Sequence, residues 1–276
     1  MPLHTLPDAE RTKRLTTDEL RDRFLVADLF REGEVVLRFV DLDRVVLGGA
    51  VPTDGPLDLG VPEELAAASF TERREIGVLN IGGAGRVTVG GETHALAPLD
   101  VLYVGRGGGD LTFVSDDAAS PARFYLVSYP AHASYPTTLV RQSDAEHVDL
   151  GTAAQANERD LYKYVRPGGV ESSQLVMGVT AIREGSVWNT MPAHTHARRT
   201  EVYLYFDLPD DAVVFHLMGE PTEVRTLVVR DGEAILSPNW SIHAGAGTGR
   251  YTFCWAMGGE NQDFADMQGV ALADLR

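Results

Sequence analysis

One cysteine, Cys254, stands in the whole chain, so no intrachain disulfide can form. It falls in the apolar run Tyr251-Thr-Phe-Cys-Trp-Ala-Met257, which reads as a buried, inert thiol rather than a reactive one. No apolar run reaches the roughly 18 residues a membrane helix needs. The opening Met1-Pro-Leu-His-Thr-Leu-Pro7 lacks a basic start followed by an apolar core. No secretory signal is expected, and the cytoplasm is the default address. Positive charge is scarce too: 24 Lys and Arg stand against 40 Asp and Glu, a formal net charge of −16. Nucleic acid and anionic membranes both require a basic surface, so neither is expected as a partner. An acidic small molecule would need a local cluster of Arg or Lys.

The 276 residues, 44% hydrophobic and 23% charged, suffice for one large or two ordinary globular domains. Residues 16–30 open with a capping-box pattern, Thr16 followed three places on by Glu19, and predict one short helix. Beyond it come short β-rich runs: Val35 to Val40, Arg44 to Leu47, Gly77 to Ile81, Arg86 to Val89, Val101 to Val104, Leu111 to Val114 and Phe124 to Val127. Gly, Pro and Asp clusters separate them, as in antiparallel sandwiches and barrels. Residues 130–170 are mixed and read as a crossover. Strands resume at Gln174 to Ile182, Val202 to Phe206, Val213 to Met218, Arg225 to Val229, Glu233 to Leu236 and Tyr251 to Ala256. Two β-rich halves of similar length predict an all-β, internally duplicated chain, with domains at 1–135 and 136–276.

The most informative segment is Met191-Pro-Ala-His194-Thr-His196-Ala-Arg-Arg-Thr-Glu201. On an extended strand residues i and i+2 point the same way, so His194 and His196 can present imidazoles to one point. Glu201 lies at an odd offset from His196, so the Ala-Arg-Arg-Thr connection must kink to return its carboxylate to the same pocket. A fourth donor, His243, follows Gly232 and Pro238. Three imidazoles and one carboxylate suit zinc, iron, manganese or nickel, with positions left for a substrate.

This arrangement resembles the cupin metal signature, H-x-H then Glu, followed by G-x5-P-x-G-x2-H. Trp240 stands where the second motif usually has Gly, and Trp188 and Leu208 replace the flanking glycines of the first. Each half is therefore expected to be a jelly-roll β-barrel. In the first half, Glu72-Arg-Arg-Glu75 aligns Glu75 with Glu201, which puts Ala68 and Phe70 at the histidine positions. The spacing Pro98 to Tyr103 repeats Pro238 to His243 and would make Tyr103 the counterpart of His243. One metal site per chain is predicted. The stretch Gly82-Gly83-Ala-Gly85, between two β-type runs with no helix after it, reads as a β-turn and not a nucleotide loop.

Longer strings narrow the resemblance. Asn189-Thr-Met-Pro-Ala-His-Thr-His-Ala-Arg-Arg-Thr-Glu-Val-Tyr-Leu-Tyr-Phe206, Leu236-Ser-Pro-Asn-Trp-Ser-Ile-His243, Met257-Gly-Gly-Glu-Asn-Gln262 and Asn80-Ile-Gly-Gly-Ala-Gly85 are similar to segments of the 5-keto-4-deoxyuronate isomerases of pectin and uronate breakdown. The likeness runs from about residue 15 to Arg276, with departures at Asn157 to Lys163, Val224 and Thr226. The resemblance implies a bicupin fold, a homohexamer and one zinc ion per chain on His194, His196, Glu201 and His243. It also implies interconversion of 5-dehydro-4-deoxy-D-glucuronate and 3-deoxy-D-glycero-2,5-hexodiulosonate.

Such a reaction moves a proton between neighbouring carbons without net redox change. A metal would polarise the carbonyl, and a general base would carry the proton. Glu260 leads the candidates for that base, with Tyr203, Tyr205 and Lys163 behind it. The keto-uronate carboxylate needs a cation, and Arg198, Arg199 and Arg225 are the candidates. His216 reads as a core histidine. The rival readings are an iron-dependent cupin oxygenase and a non-catalytic sugar-binding cupin.

Overall fold

The computed structural model describes residues 3–260 and 265–276; Asn261 and Gln262 of the resemblance string Met257 to Gln262 lie outside that range. Apart from two short helices and isolated 3₁₀ turns, the regular structure among the described residues is β-strand, in two compact units. One unit takes Asp28–Ala145 and Tyr164–Val176 with the first few residues. The other takes Thr5–Ala27, Glu146–Lys163 and Met177–Arg276. The division is interleaved, where the sequence suggested a single break after residue 135.

In the first unit the long strands are β1 (Val35–Val40), β2 (Val46–Ala50), β4 (Arg74–Asn80), β7 (Val101–Val104), β9 (Phe124–Pro130) and β10 (Thr138–Val140), paired in the order β1-β2-β9-β4-β7-β10. A second sheet joins β3 (Leu57–Asp58), β5 (Gly85–Val89), β6 (Glu92–Leu96) and β8 (Leu111–Ser115) in the order β3-β8-β5-β6. The apolar faces of both sheets supply one buried core that includes Val46, Ile76, Val78, Val87, Phe113 and Phe124. Alternation of inward and outward residues on paired strands creates this core.

The second unit repeats the plan. Its large sheet runs β11 (Glu146–Leu150), β12 (Arg159–Val165), β13 (Val176–Ile182), β20 (Thr252–Gly259), β15 (Arg199–Phe206), β18 (Ala234–Ser237). Its small sheet is β14 (Trp188–Asn189), β19 (Ile242–Gly247), β16 (Val214–Gly219), β17 (Arg225–Val229). The fold is all-β, two jelly-roll barrels of the cupin type.

The N-terminal segment belongs to this second unit for identifiable reasons. Helix α1 (Thr17–Phe24) begins with the expected capping box: the Thr16 amide donates to Glu19 Oε2 at 2.7 Å, and the Glu19 amide to Thr16 Oγ1 at 3.4 Å. It buries Leu20 and Phe24 and sets the Phe24 ring edge-on to Trp240, centroids 6.4 Å apart. The helix stops at Phe24, short of the expected residue 30, because Leu25 and Val26 pair with Ile235 and Ala234 of β18. Trp240 thus fills a position where the cupin motif usually has glycine, as a platform for this helix.

Register separates a true from a false correspondence between the barrels. Glu75 pairs with Tyr129 on β9, and Glu201 with Met257 on β20, each five residues from the equivalent strand end. Glu75 and Glu201 therefore occupy matching positions. Tyr103 does not match His243: it sits on β7, the counterpart of β18, whereas His243 sits on β19, the counterpart of β8. Pro98 leads into its strand and Pro238 leaves one, so the equal spacing was coincidental. Glu75 is nonetheless fully buried, and its carboxylate accepts from the Tyr103 hydroxyl at 2.7 Å and from the amides of Ser173 (2.6 Å), Gln174 (2.7 Å) and Leu175 (2.8 Å).

Candidate metal centre

The four predicted donors converge in the second barrel. His194 lies on a two-residue strand, His194–Thr195, paired with Gln268–Gly269. The chain bends at Ala197–Arg198 and enters β15, so Glu201 comes back to the histidines as the odd spacing required. His243 arrives from β19 in the facing sheet. The three ring centroids form a near-equilateral triangle with sides of 4.8, 4.7 and 4.9 Å.

His194 Nε2 and His243 Nε2 stand 3.0 Å apart, and Glu201 Oε2 lies 3.1 Å from His196 Nε2 and 3.0 Å from His243 Nε2. Donor atoms around an ion with bonds of about 2.1 Å stand roughly 3.0–3.4 Å from each other. One donor atom from each of the four residues falls within 4.8 Å of the others. The spacing and the N3O donor set fit a transition-metal ion, and these residues could hold one.

The electrostatics agree with ligand duty. Burial, followed by the neighbouring His243, brings His194 down to about 3 from the ordinary 6.5. His196 is lowered by burial as well. Burial opposes ionisation of Glu201, yet His243 and His196 outweigh it and hold the carboxyl well below the usual range. Neutral imidazoles beside an ionised carboxylate are the forms that bind metal. The site is also oriented from behind: Ser237 Oγ lies 3.2 Å from His243 Nδ1, and Arg199 Nε donates to His196 Nδ1 at 3.2 Å.

The cluster opens into a cavity of about 380 Å³. Its remaining wall is largely apolar, with Leu161, Phe253, Trp255 and Met257, and is interrupted by Tyr203, Lys163, Arg159 and Arg199. Tyr203 stacks on Phe253 at 5.1 Å, with its hydroxyl 3.4 Å from Thr190 Oγ1. Burial, then the adjacent Glu201, raises it well above the ordinary tyrosine range. It therefore stays protonated near neutral pH and can donate a hydrogen bond into the cavity. Lys163 lines the cavity but donates to Glu146 at 2.9 Å. The hydroxyl of Tyr205, behind Tyr203, lies within hydrogen-bond distance of His216 Nδ1 at 2.7 Å.

Other expected residues lie elsewhere. Glu260 is 72% exposed and holds Arg198 at 3.0 Å, and neither residue lines the cavity. Arg225 is also absent from the wall, because its guanidinium donates to the carbonyls of Thr12, Lys13 and Leu15. Arg199, 1% exposed, is in the wall and pairs with Asp266 at 2.8 Å.

Arg159 was not singled out in the sequence. The signal was present in Arg159-Asp-Leu161-Tyr-Lys163, whose alternate residues share one face of β12 and all reach the cavity. Two charges on the inward face disguised this strand as crossover.

The profile of the KduI/IolB family matches residues 38–271. The chain is 50% identical over 276 residues to the 4-deoxy-L-threo-5-hexosulose-uronate ketol-isomerase of Lachnoclostridium phytofermentans, covering 100% of both chains. It is 55% identical over 270 residues to the enzyme of the same name from Kineococcus radiotolerans, covering 97% of each. Among solved structures, an IolB-like protein of Salmonella typhimurium LT2 superposes with a TM-score of 0.72 at 12% identity, over 90% of this chain and 96% of that one. That last likeness speaks to the fold.

Proposed function

The chain belongs to the KduI/IolB family and is an aldose–ketose isomerase, and from that premise we propose that its substrate is 5-dehydro-4-deoxy-D-glucuronate, the hexosulose uronate of its relatives' names. The product is 3-deoxy-D-glycero-2,5-hexodiulosonate, a step in pectin and uronate catabolism. The carrying observation is the buried His194, His196, Glu201 and His243 cluster opening on one cavity, in a chain about half identical to named ketol-isomerases.

These four residues would hold one metal ion, and zinc suits them best: the donors are three imidazoles and a carboxylate, and the chemistry needs no redox change. Such an ion supplies Lewis-acid polarisation of the carbonyl and of the enediolate oxygens. The protein's own groups add a proton donor and a dry wall. Tyr203, kept protonated, donates its hydroxyl proton toward an oxygen of the developing enediolate. Phe253, Trp255 and Met257 exclude water from the reacting carbons. The assembly carried by the resemblance is a homohexamer, which light scattering on the purified protein would test.

The decisive experiment pairs metal analysis with turnover under nitrogen, for wild type and His243→Ala. The reading expects about one zinc per wild-type chain and oxygen-independent conversion of the keto-uronate, both lost in the variant. Metal retention with no conversion of that sugar would reject the assigned chemistry. Dependence on oxygen would favour an iron oxygenase.

A further inference from the structure

Three cations line the cavity beside the histidine cluster, and two already have anions. Lys163 is held by Glu146 at 2.9 Å, and Arg199 by Asp266 at 2.8 Å. Arg159 differs. Its guanidinium donates to a neutral partner, the Asn157 carbonyl, at 2.7 Å, and among the described residues no carboxylate lies within ion-pair distance.

Burial lowers Arg159 from its ordinary value, so the fold holds this charge at a cost in solvation that no carboxylate among the described residues offsets. An anion arriving with a ligand would offset it. The rest of the guanidinium fork is available for paired hydrogen bonds to a planar carboxylate. In a protein with a net charge of −16, an acidic ligand depends on such a local cation. On β12, Arg159 and Lys163 stand four residues apart on one face, roughly 13 Å at strand spacing. The ammonium held by Glu146 thus marks one end of this wall, and the guanidinium held by a backbone carbonyl the other.

We propose that Arg159 is the carboxylate anchor of this cavity, binding the acid group of a uronic-acid-type sugar whose carbonyl end lies at the His194, His196, Glu201 and His243 cluster. The identity of that sugar rests on the function proposed above; the anchoring itself does not.

The test uses full-length, metal-loaded protein as wild type, Arg159→Gln, Arg159→Lys and, for comparison, Lys163→Gln. Calorimetric titration compares D-galacturonate with D-galactose as probes, and turnover is followed with the keto-uronate. Wild type should prefer the uronate by at least about tenfold, within the range of a charge-assisted pair. Arg159→Gln should abolish that preference while leaving galactose affinity, metal content and unfolding temperature unchanged. Arg159→Lys should retain part of it, and Lys163→Gln nearly all. In turnover, kcat/KM for the keto-uronate should fall about 10- to 150-fold in Arg159→Gln.

A wild type without uronate preference, or an Arg159→Gln that keeps it, overturns the anchor. If Arg159→Gln fails to fold, Arg159→Lys decides: an unchanged preference there also overturns it, because lysine cannot reproduce the paired geometry. An Arg159-dependent preference in a protein that leaves the keto-uronate unconverted would support the anchor and reject the function. Conversion of the keto-uronate at undiminished kcat/KM by Arg159→Gln would do the reverse.

Discussion

Glu75→Gln tests how the first barrel uses the position that Glu201 occupies in the second. Oε1 of Glu75 accepts from the Gln174 and Leu175 amides, and Oε2 from the Ser173 amide and the Tyr103 hydroxyl. Glutamine has the same shape but one acceptor oxygen. Its least costly placement keeps that oxygen toward Gln174 and Leu175 and turns its NH2 toward Tyr103 and Ser173. The Tyr103 hydroxyl can rotate to accept, but the Ser173 amide is left facing another donor.

Three charge-assisted bonds become neutral ones, a loss of about 1 kcal/mol each, and one buried N–H loses its partner, about 1–3 kcal/mol. The sum is about 4–6 kcal/mol, which should lower the unfolding temperature of this unit by roughly 10–20 °C. Differential scanning calorimetry on the metal-loaded variant reads that shift, and zinc content should stay at the wild-type level because every predicted ligand lies in the other unit. Tyr103→Phe, which removes one bond to the carboxylate, should cost about 1.5–3 kcal/mol. A Glu75→Gln protein melting within about 3 °C of wild type, less than 1 kcal/mol for a unit of this size, would refute the assignment of these amides to a buried anion.

Other outcomes follow from the same geometry. Ser237→Ala removes the contact that orients His243 and should weaken metal binding about 10- to 100-fold in competition with a chelator, with the fold unchanged. His216 is fully buried and held at about 3 by burial, so it stays neutral in the fold but takes up a proton on unfolding below its ordinary 6.5. Its contribution is complete above 6.5 and is lost as pH falls from there toward 3, at about 1.4 kcal/mol per pH unit. Urea unfolding of His216→Gln at pH 6 and pH 4.5 should show a slope shallower by about one proton. Cys254 is buried and its thiol raised by burial, so a thiol reagent should modify it after denaturation and not in the native protein.

Much of this was legible in the residues, for reasons of chemistry. Metal ligation admits few side chains, so His194, His196, Glu201 and His243 stood out in spacing alone, and the capping box of α1 needed nothing beyond its own turn. What stayed hidden depends on contacts distant in sequence. The helix gives way at Leu25 because β18, over 200 residues on, offers an edge. Arg225 looked free for a ligand until three carbonyls of the N-terminal segment claimed it. Strand β12 lay inside a stretch read as crossover, because Arg159 and Lys163 on its cavity face break the usual apolar alternation. That failure coincides with the candidate carboxylate anchor.

The interleaving of the two units also sets a timetable for synthesis. Residues 5–27 leave the ribosome well before Ala234–Ile235, the edge that receives Leu25 and Val26. At 5–20 residues per second, the wait is on the order of 10–40 s. During it Leu20 and Phe24, buried in the finished molecule, have no groove to enter. The second barrel is therefore completed only after its β18 edge has been made, and the segment of this barrel that is synthesised earliest docks late.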